Sequence, residues 1–198
     1  IPDKIGAIHG FMEQVDGLLL GGAMANTFLK AKGLFIGDSF WESDKLAEAE
    51  KILAGSGSSK AEVILPIDVV VTKELRAESP SEIVKAEEIP AGWSAVDIGP
   101  ETVNLFKEII AGAKMILWNG PLGAYEFVPF NEGTKLVAEA VAAADAETIV
   151  GGGDIVAALE DLGIADKITH ISTGGGAVLD FWEGKELPGL AVLQEQSG

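Results

Sequence analysis

Short apolar runs recur along this chain, and each gives way to a stretch in which apolar positions return every third or fourth residue. Runs of this length between turn signals read as buried strands, and the three-and-four spacing reads as helix with one face toward a core. Strands are expected at 17–20, 62–65, 68–72, 115–118, 148–150 and 169–172. Helices are expected at 3–13, 23–32, 43–54, from Gly99-Pro100-Glu101 onward, and at 131–144, 154–162 and about 175–183. Gly33 and Gly163 stand where helices should stop, and Pro100 suits a first turn, where its missing N–H would have no partner anyway. Val103, Phe106 and Ile110 make one buried stripe; Val137, Ala140, Val141 and Ala144 make another. Between 73 and 93 the pattern breaks up around Pro80 and Pro90, which suggests an excursion over the surface. Alternation of strand and helix implies βαβ units with right-handed crossovers. The expected fold is α/β: a doubly wound, mainly parallel sheet with helices on both faces, a Rossmann-like three-layer arrangement, in one domain spanning 1–198.

Four of the apolar runs end in glycine: at Gly21-Gly22, at Asn119-Gly120-Pro121, at Gly151-Gly152-Gly153-Asp154 and at Gly174-Gly175-Gly176. A strand that passes through glycine into a helix leaves unpaired backbone N–H groups at the positive end of the helix dipole, a setting suited to phosphate. In an open α/β sheet such turns collect at the carboxyl edge, where ligands bind.

Composition narrows the class. Acidic residues number 31 against 14 basic ones, for a formal charge of −17, and Arg76 is the single arginine. That balance repels nucleic acid and anionic membranes, so neither is expected as a partner. No apolar run approaches the roughly 20 residues of a membrane helix. The absence of cysteine removes disulfides and thiolate metal sites, and nothing at Ile1-Pro2-Asp3-Lys4 resembles a leader, so a cytoplasmic protein is expected. The P-loop pattern and G-x-G-x-x-G are both missing, and neither His9 nor His170 has a nucleophile beside it; His170, inside an apolar strand, reads as structural.

Specific strings carry more. Asp3-Lys4-Ile5-Gly6, Gly21-Gly22-Ala23-Met24-Ala25-Asn26-Thr27-Phe28-Leu29, Leu65-Pro66-Ile67-Asp68-Val69-Val70-Val71 and Asp97-Ile98-Gly99-Pro100 are followed by Trp118-Asn119-Gly120-Pro121-Leu122-Gly123-Ala124-Tyr125-Glu126. After these come Gly151-Gly152-Gly153-Asp154, Ser172-Thr173-Gly174-Gly175-Gly176-Ala177 and Glu183-Gly184-Lys185-Glu186-Leu187-Pro188-Gly189. In these strings and their order the chain resembles the C-terminal, nucleotide-binding domain of the phosphoglycerate kinase family. The resemblance implies phosphoryl transfer between 1,3-bisphosphoglycerate and ADP, giving 3-phosphoglycerate and ATP, with Mg²⁺ accompanying the ADP/ATP. It implies that Asp154 serves the metal, and that Gly151, Gly152, Gly153 and Ile155 lie along the nucleotide phosphates. Lys4 and the turn Gly174, Gly175, Gly176 would face the transferred phosphate, Glu126 the ribose hydroxyls, and Asn119 the sugar and phosphates. Gly21, Gly22, Phe40, Val96 and Pro121 would surround adenine, although Phe40 and Val96 read equally well as core residues and Asp154 as a helix N-cap.

The resemblance also implies a second, basic lobe that holds the acid substrate, in a protein that is a monomer when whole. Neither that lobe nor the family's Gly-Gly-Ala-Lys segment precedes Asp3-Lys4, so the chain is expected to be one lobe, inactive alone. The family usually has a hydroxyl residue after the aspartate, where this chain has Ile155; Ala23 and Ala95 replace frequent glycines and Val178 a frequent serine. Two readings therefore stand: the nucleotide half of a kinase, or a non-catalytic adenine-nucleotide-binding or assembly module.

Overall fold

The computed structural model describes residues 12–55, 61–171 and 189–194. Nine strands and five α-helices are described: β1 (Gly17–Leu19), α1 (Gly22–Ala31), α2 (Leu46–Gly55), β2 (Glu62–Ile64), β3 (Asp68–Thr72), β4 (Ser81–Lys85), β5 (Ser94–Ile98), α3 (Pro100–Ala111), β6 (Met115–Asn119), α4 (Glu132–Ala143), β7 (Glu147–Gly151), α5 (Gly153–Asp161), β8 (His170–Ile171) and β9 (Gly189–Leu193). Six of the strands form one sheet in the order β2-β1-β9-β6-β7-β8, and the other three form a small sheet in the order β4-β3-β5.

Alternation along each central strand builds three layers, because successive side chains leave opposite faces of a sheet. Leu19, Ile116, Trp118, Val150, Leu190 and Val192 enter a core under α3, α4 and α5, with Phe106, Ile110, Val137 and Val141 from those helices. Leu18, Leu20, Leu117 and Ala191 point the other way and pack with Phe28 and Ala49 from α1 and α2. Burying each such side chain stabilises the fold by roughly 1.5–3 kcal/mol, and the two-sided demand explains why these strands are apolar throughout. The small sheet has its own core of Val69, Val71, Ile36 and Ile89, and Leu29 of α1 joins it to the rest.

The doubly wound, mainly parallel architecture read from the pattern is present, with three differences. Strand β9 lies mid-sheet and antiparallel to both neighbours, β1 and β6, while β1–β2, β6–β7 and β7–β8 are parallel. The stretch 73–93 is only partly an excursion, since β4 folds back on β3; just beyond it β5, not expected as a strand, pairs with β3 on its other side. Four of the five β4 residues are exposed, Ile83 among them, and three are Ser81, Glu82 and Lys85, so no alternation announces the strand in the sequence. His170 is exposed on β8 at the sheet edge, so an apolar strand does not bury it. Of the helix expected at 3–13 only 12–13 are described, and the helix expected at about 175–183 lies outside the described residues.

Two buried aspartates fasten helix starts from a distance. Both carboxylate oxygens of Asp68 accept from α3: Oδ2 from the Glu101 N–H at 3.0 Å, and Oδ1 from the Thr102 N–H at 2.8 Å and its hydroxyl at 2.7 Å. Asp97 does the same for α4, its Oδ2 accepting from the Gly133 N–H at 2.9 Å. These two N-termini are thereby occupied by the protein's own carboxyl groups. Gly120-Pro121 accordingly does not open a helix: a loop runs on to α4, which starts at Glu132. Among the described helices entered through glycine pairs, α1 and α5 have no side-chain cap.

Candidate functional site

A cleft of about 380 Å³ opens between the start of α1, the segment 38–42, strand β5 and the loop after β6. Gly21, Gly22, Phe40, Val96, Pro121 and Glu126, all singled out from the sequence, line it. A Cβ on Gly21 would lie 2.9 Å from the Leu122 carbonyl oxygen, so the helix start and the loop meet backbone to backbone there. Gly22 sits at φ +62°, a conformation that favours glycine. Phe40 is 71 % exposed although it lines the cleft, whereas Val96, which also lines it, is buried at 6 %. The core role entertained for Phe40 is therefore excluded. The two departures Ala23 and Ala95 also line the cleft, as do Asn26, Asp38, Glu42 and Leu75, which sequence reasoning did not single out.

The second group of candidates lies where β6 and β7 end side by side. Asn119 pairs with Gly151 in the parallel register. Gly152 turns the chain at φ +93°, and a Cβ there would stand 2.9 Å from Asn119 Oδ1. Gly153 has open space around it and begins α5. Asp154 is exposed in the first turn; Gly152 is the N-cap and no side chain caps this helix, so the N-cap reading of Asp154 is set aside. Ile155 is fully buried in the main core. Its side chain is committed to packing, which leaves its backbone N–H as the part able to face a ligand.

The loop 120–131 connects the two groups. The Ala124 N–H donates to the Val96 carbonyl at 2.8 Å, holding the loop on β5. Tyr125, next to Glu126, reaches α5: partial burial, then the carboxylate of Asp161 that accepts its hydroxyl, then that of Asp154, all push its phenol up from the ordinary value. Behind the loop, Asp97 touches the positions where Gly123 and Gly133 would carry a Cβ. Burial pushes the Asp97 carboxyl up to about 8, Glu132 adds to the rise, and the N–H groups of Gly133 and Ile98 oppose it. Its signal was a lone charge inside Ala95-Val96-Asp97-Ile98. Lys4, Gly174, Gly175 and Gly176 lie outside the described residues.

The charged side chains lining the cleft are Asp38, Glu42 and Glu126, so no lining cation draws an anion in. Among the described residues no three His, Cys, Asp or Glu side chains gather into a metal cage. A lone exposed Asp154 beside a glycine turn suits a hard cation that keeps its waters and takes its remaining ligands from phosphate oxygens. The chemistry of the donor set thus fits Mg²⁺ arriving with a nucleotide. The cleft volume and its apolar walls fit a base.

The chain matches the family model for phosphoglycerate kinase over residues 1–185. It is 50 % identical over 197 residues to phosphoglycerate kinase of Thermomicrobium roseum, covering 100 % of this chain and 50 % of that protein. Against the same enzyme of Chloroflexus aurantiacus it is 48 % identical over 198 residues, covering 98 % of this chain and 50 % of the relative. The structure of phosphoglycerate kinase from Coxiella burnetii superposes with a TM-score of 0.84 at 38 % identity, over 91 % of this chain and 47 % of that one. For the enzyme from Pyrococcus horikoshii the TM-score is 0.73 at 31 % identity, over 94 % and 47 %. The chain spans about half the length of the relatives it matches.

Proposed function

The chain belongs to the phosphoglycerate kinase family, and from that premise we propose that it is the nucleotide-binding, C-terminal lobe of a two-lobe kinase. The reaction is reversible phosphoryl transfer: an oxygen of the ADP β-phosphate attacks the acyl phosphate of 1,3-bisphosphoglycerate, the bond to the carboxylate breaks, and 3-phosphoglycerate and ATP result. Such a reaction asks the protein chiefly for alignment and charge neutralisation. Supporting this reading above all is a base-sized apolar cleft lined by Pro121, whose neighbour Gly120 would lie with its N 3.5 Å from a Cβ on Gly152 in the glycine turn before α5.

In this proposal Phe40, Val96, Pro121 and the Gly21-Gly22 backbone enclose adenine, and Glu126 accepts hydrogen bonds from the ribose. Asn119 and the N–H groups of Gly151, Gly152, Gly153 and Ile155 receive the phosphates. Asp154 holds Mg²⁺, whose chemistry is to neutralise charge on the phosphate oxygens. Lys4 and the Gly174, Gly175, Gly176 turn are assigned to the phosphate in transit. The acid substrate is held by a different lobe. Arg76, the chain's single arginine, is exposed and pairs with Glu74 at 2.9 Å, so it does not supply a ready phosphoglycerate site. The setting proposed is the cytoplasm; no described helix is long and apolar enough to cross a membrane.

Calorimetric titration of the 198-residue chain with Mg·ADP tests the reading. Binding that Asp154→Ala abolishes and Glu126→Ala weakens is the expected result, with no phosphoglycerate-dependent turnover by the chain alone. The alternative, a module without catalytic purpose, draws on the burial of Ile155 where a hydroxyl would serve phosphate. Absence of heat at millimolar nucleotide would favour it.

A further inference from the structure

Phe40 is unusual among the large apolar side chains here, being 71 % exposed in a cleft while its backbone is held from two sides. On the helix side, Asn26 Nδ2 donates to the Phe40 carbonyl at 2.9 Å. One residue along α1, Thr27 accepts from the Glu42 N–H at 2.9 Å and donates its own hydroxyl to the Ala23 carbonyl at 2.9 Å. On the sheet side, the Asp38 N–H donates to the Trp93 carbonyl at 2.8 Å, the Ser94 hydroxyl to the Asp38 carbonyl at 2.9 Å, and the Ala95 N–H to Ser39 Oγ at 2.8 Å. Gly37 starts the segment at φ +59°, with the Trp93 and Pro90 carbonyls where a side chain would go. Residues 37–42 have no regular helical or strand ladder of their own, yet their backbone is anchored nearly residue by residue.

The polar anchors are themselves buried: Asn26 is 4 % exposed, Thr27 0 % and Ser39 5 %. Burying an amide and two hydroxyls is unfavourable unless they are bonded. Here their bonds hold the backbone of the segment that carries one exposed phenyl ring: Asn26 bonds the Phe40 carbonyl, Thr27 the Glu42 N–H and Ser39 the Ala95 N–H. An exposed phenylalanine contributes nothing to the core, so the arrangement makes physical sense when something apolar is laid against the ring.

We propose that Asn26 is a positioning residue for the nucleotide base: its side-chain amide fixes the Phe40 backbone so that the ring is already in place as the floor of the slot. This rests on reading the cleft as an adenine-nucleotide site. A preorganised ring spares the ligand the ordering cost of a loose one. Asn26 acts through Phe40, so its effect should be confined to the base and should vanish when the ring is gone.

The test is a double-mutant cycle on the 198-residue chain, with Mg·ADP and its base-less analogue Mg·ribose 5-diphosphate as calorimetric ligands. Phe40→Ala should weaken ADP by about tenfold, the range of a lost aromatic contact to a base, and leave the base-less ligand unchanged. Asn26→Ala should weaken ADP by about fivefold with the same selectivity, and should add nothing in the Phe40→Ala background. Asn26→Asp, which keeps the volume but sets an acceptor against the Phe40 carbonyl, should lose at least as much as Asn26→Ala with the same selectivity. Ser39→Ala, which loosens the sheet-side anchor, should show the same base-selective loss even if the Asn26 variants fail to fold. Full additivity of Asn26→Ala with Phe40→Ala would overturn the proposal, as would equal losses for both ligands or no loss at all while Phe40→Ala is impaired. No effect of Phe40→Ala on ADP would overturn the adenine reading itself, and the proposal with it.

Discussion

Gly153→Ala separates what the fold needs from what a ligand needs. Gly153 is exposed at the start of α5, its φ lies outside the left-handed region, and a Cβ built there has no neighbour within 4 Å. By packing alone the alanine is harmless. It should stabilise the chain slightly, by about 0.5 kcal/mol, because it narrows the unfolded ensemble at a site whose helical conformation it can adopt. The binding consequence is opposite. If a phosphate oxygen accepts from the N–H groups of this turn, the methyl enters the space the phosphate occupies. Losing one hydrogen bond to a charged group corresponds to about 1.5–3 kcal/mol, or roughly 10- to 100-fold in Kd. Urea unfolding and Mg·ADP calorimetry on the same sample read the two effects. A stability equal to or above the parent's together with an affinity at least tenfold weaker is expected. An unchanged affinity would refute the placement of phosphates at this turn. Gly152→Ala is the contrast: at φ +93° and 2.9 Å from Asn119 Oδ1, its alanine should damage stability and affinity together.

Other outcomes follow from single contacts. Asp97 has a folded value of about 8, against roughly 4 when unfolded, so the native state holds a proton that the unfolded state has released across that window. Stability should therefore fall as pH rises from about 4 to about 8, by at most about 1.4 kcal/mol per pH unit; Asp97→Asn should flatten the slope in urea titrations, and an unchanged slope would refute the assignment. Tyr125 is the chain's single tyrosine; its phenolate absorbance should rise above the ordinary pH range, and Asp161→Asn should bring it down, an immobile titration arguing against the contact with α5. Ile155→Thr removes buried apolar volume and places a hydroxyl in the core, so chemical denaturation should report a loss of about 2–3 kcal/mol, whereas an unaltered midpoint would contradict its burial.

What could be read from the chain followed the physics of periodicity. Strands with both faces covered are apolar throughout, so β1, β3, β6 and β7 were plain, and helices with capping glycines such as Gly33 and Gly163 were placed within a residue or two. Strand β4 was not, because it lies at a sheet edge, buries almost nothing and so shows no apolar alternation. Strand β9 escaped because its neighbours, β1 and β6, are far away in sequence, and no local pattern announces an antiparallel insertion. Within the site, glycines forced by φ or by close backbone approach were legible. Phe40 was ambiguous, since an apolar residue looks the same in a core and in a slot, and only its exposure decides. Asn26 and Asp68 were invisible as anchors and Asp97 showed only as a lone charge in an apolar run, because their bonds join segments distant in sequence.

The placement of β9 has a consequence for how this polypeptide matures on the ribosome. Among the described residues, the pair β1–β2 and the trio β6–β7–β8 share no hydrogen bond with each other; the fifth-from-last to last described strand residues, Gly189–Leu193, stitch them together. Until that segment clears the exit tunnel, two half-sheets stand with raw inner borders, each a template for mispairing with a neighbouring nascent chain. Completion of the sheet therefore waits on Gly189–Leu193, and the interval before that segment pairs is when the inner borders of β1 and β6 are most open to mispairing.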